Sequence, residues 1–308
     1  MTFIRGSDLS WGLRDIPDLT GRTAVVTGAS GGLRLETARG LAAAGAQVVV
    51  AARDPAKGRA AAEAVGRDAR FEALDLADLA SVQAFAERVD DGAAGLDLLV
   101  NNAGVMAPPE RRTTRDGFEL QLGTNHLGHF ALTGRLVPML RRAAAPRVVT
   151  VASLAARAGA MDFGNLNWGR NYSAWRAYGR SKLANLLFTR ELARRSANGG
   201  WGITAVAAHP GWSRTELTRP RDGERANPLF APMTLLSPLF SQDAAAGALP
   251  TLRAAVDPQA EPGAFYGPGG RGELKGPPVR VEACAAARSD ADAARLWTES
   301  ERLTGVSY

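Results

Sequence analysis

The chain has 308 residues, 45% of them hydrophobic, with 37 basic and 31 acidic residues for a net charge of +6. That apolar content suits a large core and excludes a disordered chain, and the arginines are scattered (Arg111–Arg112, Arg141–Arg142, Arg194–Arg195), which argues for anionic small partners and against nucleic acid. Residues 1–20 mix charges among apolar positions, and neither Leu41–Ala52 nor the proline-bearing Pro228–Phe240 approaches the roughly 18 residues of a spanning helix, so neither a secretory signal nor a membrane span is expected.

In chain order, strand signals at Thr23–Thr27, Gln47–Ala51, Arg70–Leu74, Leu96–Asn101, Arg147–Ala152, Ile203–Ala208 and a short Ala264–Tyr266 alternate with helical stretches. The helices are expected at about 32–44, 55–65, 79–89, 116–142, 174–196, 242–255 and 290–304. Such alternation predicts an α/β fold, a doubly wound parallel sheet of about seven strands with helices on both faces. Ala24-Val25-Val26 and Val48-Val49-Val50 are apolar without alternation, as burial on both faces requires. The compositional break at Thr218–Ser241, rich first in proline and charge and then in Leu, Phe and Met, reads as a flap because helical sequence resumes after it. A single domain is expected, with a core over 20–215, a substrate flap over 216–241 and C-terminal helices with a last strand over 242–308.

Several segments carry chemistry. After the first strand comes a glycine-rich turn, in which Gly28 permits a tight reversal and Gly32 a close approach to a pyrophosphate at a helix N-terminus. Ala52-Arg53 stands where a carboxylate would hold a ribose 2′-hydroxyl, and a small residue followed by arginine instead accommodates a 2′-phosphate, which selects NADP(H) over NAD(H). Asn102, Ala103 and Gly104 follow the fourth strand at the sheet's carboxyl edge, where ligands bind in open α/β folds. Asn125 interrupts a helical stretch that asparagine disfavours. The His126/His129 pair has no third ligand at suitable spacing, so packing roles are expected and no metal site. Ser153 ends the fifth strand without a nucleophile elbow around it and can donate to a carbonyl oxygen. Tyr178 and Lys182, four residues apart, share a helix face; an ammonium there is expected to lower the phenol from its usual value of about 10. The single cysteine, Cys284, suits a reducing cytoplasm and a packed position.

Together the TGxxxGx turn from Thr27, NNAG at Asn101–Gly104, Ser153, YxxxK at Tyr178–Lys182 and HPG at His209–Gly211 resemble the short-chain dehydrogenase/reductase family from about residue 20 to 215. The wording GLRLETARGLAAAGA, NHLGHF and SKLANLLFTRELAR is similar to its retinol-dehydrogenase-like branch. The resemblance implies an NADP(H)-dependent enzyme acting on a small alcohol or carbonyl, apolar in character. Tyr178 would be the general acid/base, Ser153 would polarise the carbonyl, and Lys182 would tune the tyrosine and hold the nicotinamide ribose. Asn125 would link the lysine to solvent. By the same resemblance Ser30, Leu33, Asp75 and Leu76 contact the cofactor, with Asp75 at the adenine, though on propensity alone Asp75 is also an N-cap. Pro210 and Gly211 would flank the nicotinamide and Thr215 bond its carboxamide. The helices near 116–142 and 174–196 form dimer and tetramer surfaces in that family. One departure stands out: the family's third glycine is Arg34. Its charge either reaches the phosphates or crowds the helix and weakens cofactor binding, the latter leaving a cofactor-binding sensor.

Overall fold

An apolar strand without alternation has no polar face to give to water and must be covered on both sides. The computed structural model describes residues 11–90, 92–212 and 242–308 and shows that arrangement. Its strands are β1 (Thr23–Thr27), β2 (Gln47–Ala52), β3 (Ala69–Ala73), β4 (Leu98–Asn101), β5 (Arg147–Val151), β6 (Thr204–Ala208), β7 (Phe265–Pro268) and β8 (Pro278–Arg280). They form one sheet in the order β3-β2-β1-β4-β5-β6-β7-β8. All neighbours pair in parallel except β7 and β8, which are antiparallel.

Adjacent side chains of a strand point to opposite faces, and the core divides accordingly. Ala24 and Val26 of β1 pack on one face with Leu41 of α1 (Gly32–Ala43) and Leu252 of α7 (Ala244–Val256). Val25 packs on the other with Phe85 of α3 (Leu79–Val89), Phe130 of α5 (Gly128–Arg142), Phe188 of α6 (Ala174–Gly199) and Trp297 of α8 (Asp290–Thr304). Helix α2 (Pro55–Val65) starts at Asp54, whose carboxylate accepts the Ala56 and Lys57 N–H groups. The partly buried Cys284 packs against the core beside β7 and α8.

Two features differ from the sequence expectation. Among the described residues there are eight strands rather than about seven, because the edge strand Pro-Val-Arg at Pro278–Arg280 is too short to show a periodicity. The helical stretch expected from 116 begins instead at Leu120, where the Glu119 carboxylate caps the Gln121 and Leu122 N–H groups just after Gly117 turns the chain with φ +83°. That short α4 (Leu120–Leu122) then widens into a π turn at Gly123–Leu127 before α5. Gly128 explains how close this stretch comes to its neighbours: a Cβ there would stand 2.4 Å from the Leu76 carbonyl oxygen. The expected flap, and Thr215 before it, lie outside the described residues.

Candidate active site

The order of strands reverses between β1 and β4, and a cleft open to solvent lies at the carboxyl ends of the strands there. One wall is almost all backbone. Gly28 and Gly32 take φ values of +69° and +57°, which a side-chain-bearing residue rarely adopts. A Cβ at Gly28 would also stand 2.9 Å from Ala103 Cβ, so glycine is what lets the β1 turn and the Asn102–Gly104 segment meet. Helix α1 opens at Gly32 with Gly31 as N-cap, no side chain capping its first amides and no acidic residue in its first turn. Those amides and the positive helix end suit a phosphate. Such a cradle fits the pyrophosphate of a dinucleotide.

The opposite wall is made of side chains. Ser153 follows β5 as N-cap of a 3-10 turn, its Oγ accepting the Ala155 N–H at 3.2 Å, and it acts on the Tyr178 hydroxyl to lower its pKa. Tyr178 and Lys182 lie on α6, one turn apart, with Nζ 5.9 Å from the phenol ring centroid. Lys182 Nζ donates to the Val151 carbonyl at 2.9 Å, and Asn185 Nδ2 donates to the same oxygen. Asn125 sits in the π turn, fully buried. It accepts the Val105 N–H at 2.8 Å and donates to the Val105 carbonyl and to Ser181 Oγ. A Cβ on Gly104 would be 3.1 Å from Asn125 Oδ1 and 3.6 Å from Lys182 Nζ, so a side chain here would crowd both polar groups.

Burial dominates the protonation of this wall. It pushes the Tyr178 hydroxyl above the ordinary phenol value, while the Ser153 hydrogen bond and the Arg34 charge pull it back. It brings Lys182 down to about 7, again with a contribution from Arg34. Arg34 is therefore a charge that acts on both groups of this wall. Arg34 lines the cleft, its Cδ 3.2 Å from where a Gly28 Cβ would be and its Nη1 3.5 Å from the Gly104 carbonyl oxygen. Helix α1 runs unbroken from Gly32 to Ala43 around it.

A family model described as short chain dehydrogenase matches residues 22–226. The chain belongs to the short-chain dehydrogenase family. Within the family it is retinol-dehydrogenase-like: it is 40% identical over 297 residues to mouse retinol dehydrogenase 12, covering 94% of this chain and 88% of that one. It is 39% identical over 298 residues to human retinol dehydrogenase 13, covering 94% and 86%. A crystal structure of a Mycobacterium paratuberculosis protein superposes with a TM-score of 0.81 at 43% identity, covering 97% of this chain and 98% of that chain. A complex of Pseudomonas aeruginosa RhlG with NADP superposes with a TM-score of 0.54 at 32% identity, covering 66% and 76%.

Of the residues expected from sequence, Gly32, Leu33, Asn102, Gly104, Tyr178, Lys182 and Pro210 line the cleft directly. Gly28 and Ala103 meet beneath it, and Ser153 and Asn125 reach it through Tyr178 and Val105. Ser30 is exposed at the turn, and Arg53 is exposed between β2 and α2, beyond the cleft lining. Asp75 follows β3 and accepts the Ala77 N–H, turning its own loop while Leu76 is buried behind it. Gly211 has φ +63°, and a Cβ there would be 2.4 Å from the Leu274 carbonyl oxygen. The sequence reading missed Gly31, Val105, Val151 and Ala152 in the lining, each adjacent to a motif it did name. It also missed the support behind Pro210: His209 Nδ1 accepts the Gly211 N–H, which leaves Nε2–H to donate to Glu273 at 2.9 Å, while Arg157 pairs with the other Glu273 oxygen. No local pattern marks a histidine and a glutamate 64 residues apart.

Both expected histidines face partners inside the core: His126 Nε2 lies 2.8 Å from Ser300 Oγ, and His129 Nε2 lies 2.9 Å from Thr27 Oγ1. Among the described residues, no helix is long and apolar enough to cross a membrane.

Proposed function

We propose that the protein is an NADP(H)-dependent oxidoreductase that interconverts an apolar alcohol and its carbonyl, with Tyr178 as the general acid/base. The observation that carries this reading is Tyr178 with Lys182 one turn away on the same helix, Ser153 near enough to act on the phenol, across the cleft from a glycine-lined helix N-terminus. Bound NADP(H) would supply the hydride. Gly28, Gly32 and Leu33 would hold it through the α1 amides, with Asn102, Ala103 and Gly104 closing the far side, Asp75 and Leu76 at the adenine, and Pro210, Gly211 and Thr215 beside the nicotinamide. Ser153 would donate to the carbonyl oxygen as negative charge develops on it. Tyr178 would then deliver a proton to that oxygen in reduction and remove it in oxidation. The buried Lys182 ammonium would favour the phenolate and bond the nicotinamide ribose.

Arg53, at the exposed end of β2 with no carboxylate at Ala52, supports the phosphorylated cofactor. Trp175, 42% exposed and with its ring centroid 5.7 Å from that of Tyr178, supports an apolar substrate. So does the likeness to proteins named retinol dehydrogenase. A single cysteine suits a cytoplasmic setting. The test is NADPH oxidation by the purified protein with a panel of ketones and aldehydes that includes retinal. Turnover with an apolar carbonyl, lost in Tyr178→Phe, is the expected result. Tight NADPH binding without turnover of any panel member would assign a sensor role instead.

A further inference from the structure

His129 is fully buried on α5, and both of its ring nitrogens have partners. Nδ1 lies 3.0 Å from the Asn125 main-chain oxygen, which can only accept. The imidazole is neutral at pH 7, since burial holds it down to about 4. Nδ1 therefore carries the single proton and donates it to Asn125, which leaves Nε2 as an acceptor. Among the described residues the group bonded to Nε2 is Thr27 Oγ1 at 2.9 Å, so the threonine hydroxyl donates to the ring rather than to the Val100 carbonyl at 3.3 Å. The same threonine oxygen accepts the Asn102 and Ala103 N–H groups, each at 2.9 Å. Every proton in this chain of hydrogen bonds has one consistent direction.

The two ends of that chain are the two walls of the cleft. Thr27 is the last residue of β1, directly before Gly28, and Asn102 and Ala103 form the floor that Gly28 touches. Asn125 grips Val105 from both sides and donates to Ser181, whose hydroxyl in turn donates to the Tyr178 carbonyl. The Asn125 carbonyl lies within the π turn. We infer that His129, in its Nδ1–H form, is a positioning residue that ties the glycine-rich turn and the Asn102–Ala103 amides to the Asn125 turn, so that the cofactor cradle and the proton-transfer wall keep one spacing. This rests on the function proposed above, but the tie itself is a statement about geometry.

The experiment has one arm on the native protein and one on variants. Nitrogen-15 NMR of the imidazole at pH 7 is expected to show His129 protonated at Nδ1 and bare at Nε2; the opposite tautomer, or a charged ring, would overturn the assignment whatever the enzyme does. His129→Leu removes both bonds at similar volume and is expected to raise the NADPH dissociation constant at least fivefold and lower kcat at least tenfold, with the carbonyl KM within twofold. His129→Asn, whose amide N–H can stand in for Nδ1–H toward the Asn125 carbonyl, is expected to recover at least threefold of the lost kcat. A folded His129→Leu protein that matches the native one within twofold in NADPH affinity and kcat would show that the tie positions nothing. If His129→Leu does not fold, the same comparison passes to His129→Met, which also removes both bonds, and to the tautomer. A native protein that binds NADPH but reduces no carbonyl would retire the functional reading alone, leaving the tautomer and the NADPH affinities to decide the role of His129.

Discussion

The two walls of the cleft are built from opposite materials. The β1–α1 wall works by lacking side chains: Gly28, Gly31 and Gly32 expose backbone amides and allow close contact with Ala103. The β5–α6 wall works by burying them: Tyr178 and Lys182 are buried beside Ser153, Lys182 bonded to the Val151 carbonyl, and burial displaces the protonation of both. Change on the first wall should alter how tightly an anionic cofactor sits, and change on the second should alter how fast a proton moves. Arg34 belongs to the first wall by sequence and acts on the second by charge, so it is the residue at which the division is weakest.

The sharpest way to break this comparison is Tyr178→Phe. It should lower kcat/KM by about 10²- to 10⁴-fold, the range for positioned acid–base catalysis, and leave NADPH affinity within twofold by fluorescence titration. A parallel loss of affinity would mean that the two walls are not separable. Lys182→Met should cost at least about 100-fold in kcat/KM and shift the oxidative pH profile to more alkaline values. It also has a signature without substrate. Lys182 has a value of about 7 in the fold against 10.5 for the ordinary side chain. Between those values the unfolded chain holds a proton that the folded chain has released, so native stability should rise with pH across that window. Chemical denaturation of the unliganded protein at pH 7, 8.5 and 10 should show this rise, and Lys182→Met should flatten it. An equal slope in both would place the ammonium in contact with water.

Arg34→Gly sharpens the comparison at its weak point. If the guanidinium contributes a charge-assisted contact to a phosphate, its loss costs about 1.5–3 kcal/mol of NADPH binding, or roughly 10- to 150-fold. The same substitution should raise the Tyr178 value, since a lowering charge is removed. Calorimetric affinity unchanged within twofold would make Arg34 a neutral neighbour of the cleft. The smallest effect belongs to Arg53→Ala. NADPH is expected to bind the native protein at least about tenfold tighter than NADH, about 1.4 kcal/mol, and the variant should lose most of that preference. Equal affinities in the native protein would end the case for a phosphorylated cofactor.

What could be read from the sequence follows from the same contrast. Parallel strands such as Val48–Val50 announce themselves because two-sided burial leaves no polar position, and Gly28 and Gly32 because the turn needs positive φ. Tyr178 and Lys182 were legible from a four-residue spacing within one helix. The direction of the tyrosine shift was not, because burial is a sum over the whole fold and outweighs the neighbour that spacing suggests. The π turn at Gly123–Leu127 changes hydrogen-bond register without changing which residues are apolar, so it leaves no periodic trace. The His129–Thr27 and His209–Glu273 contacts join residues 102 and 64 positions apart, and nothing local to either partner signals them.

The sheet's two borders carry a consequence for the protein at high concentration. At one end β3 shows Arg70 and Glu72 along its length, with Glu72 also paired to Arg88. At the other, β8 is three residues long, starts with a proline that cannot donate a hydrogen bond, and ends in Arg280 paired with Glu261. A foreign strand that sought to extend the sheet would meet charge at the first border and a truncated, partly donor-less ladder at the second. Mild heating of the folded protein should therefore not seed aggregates that grow from either border of the sheet.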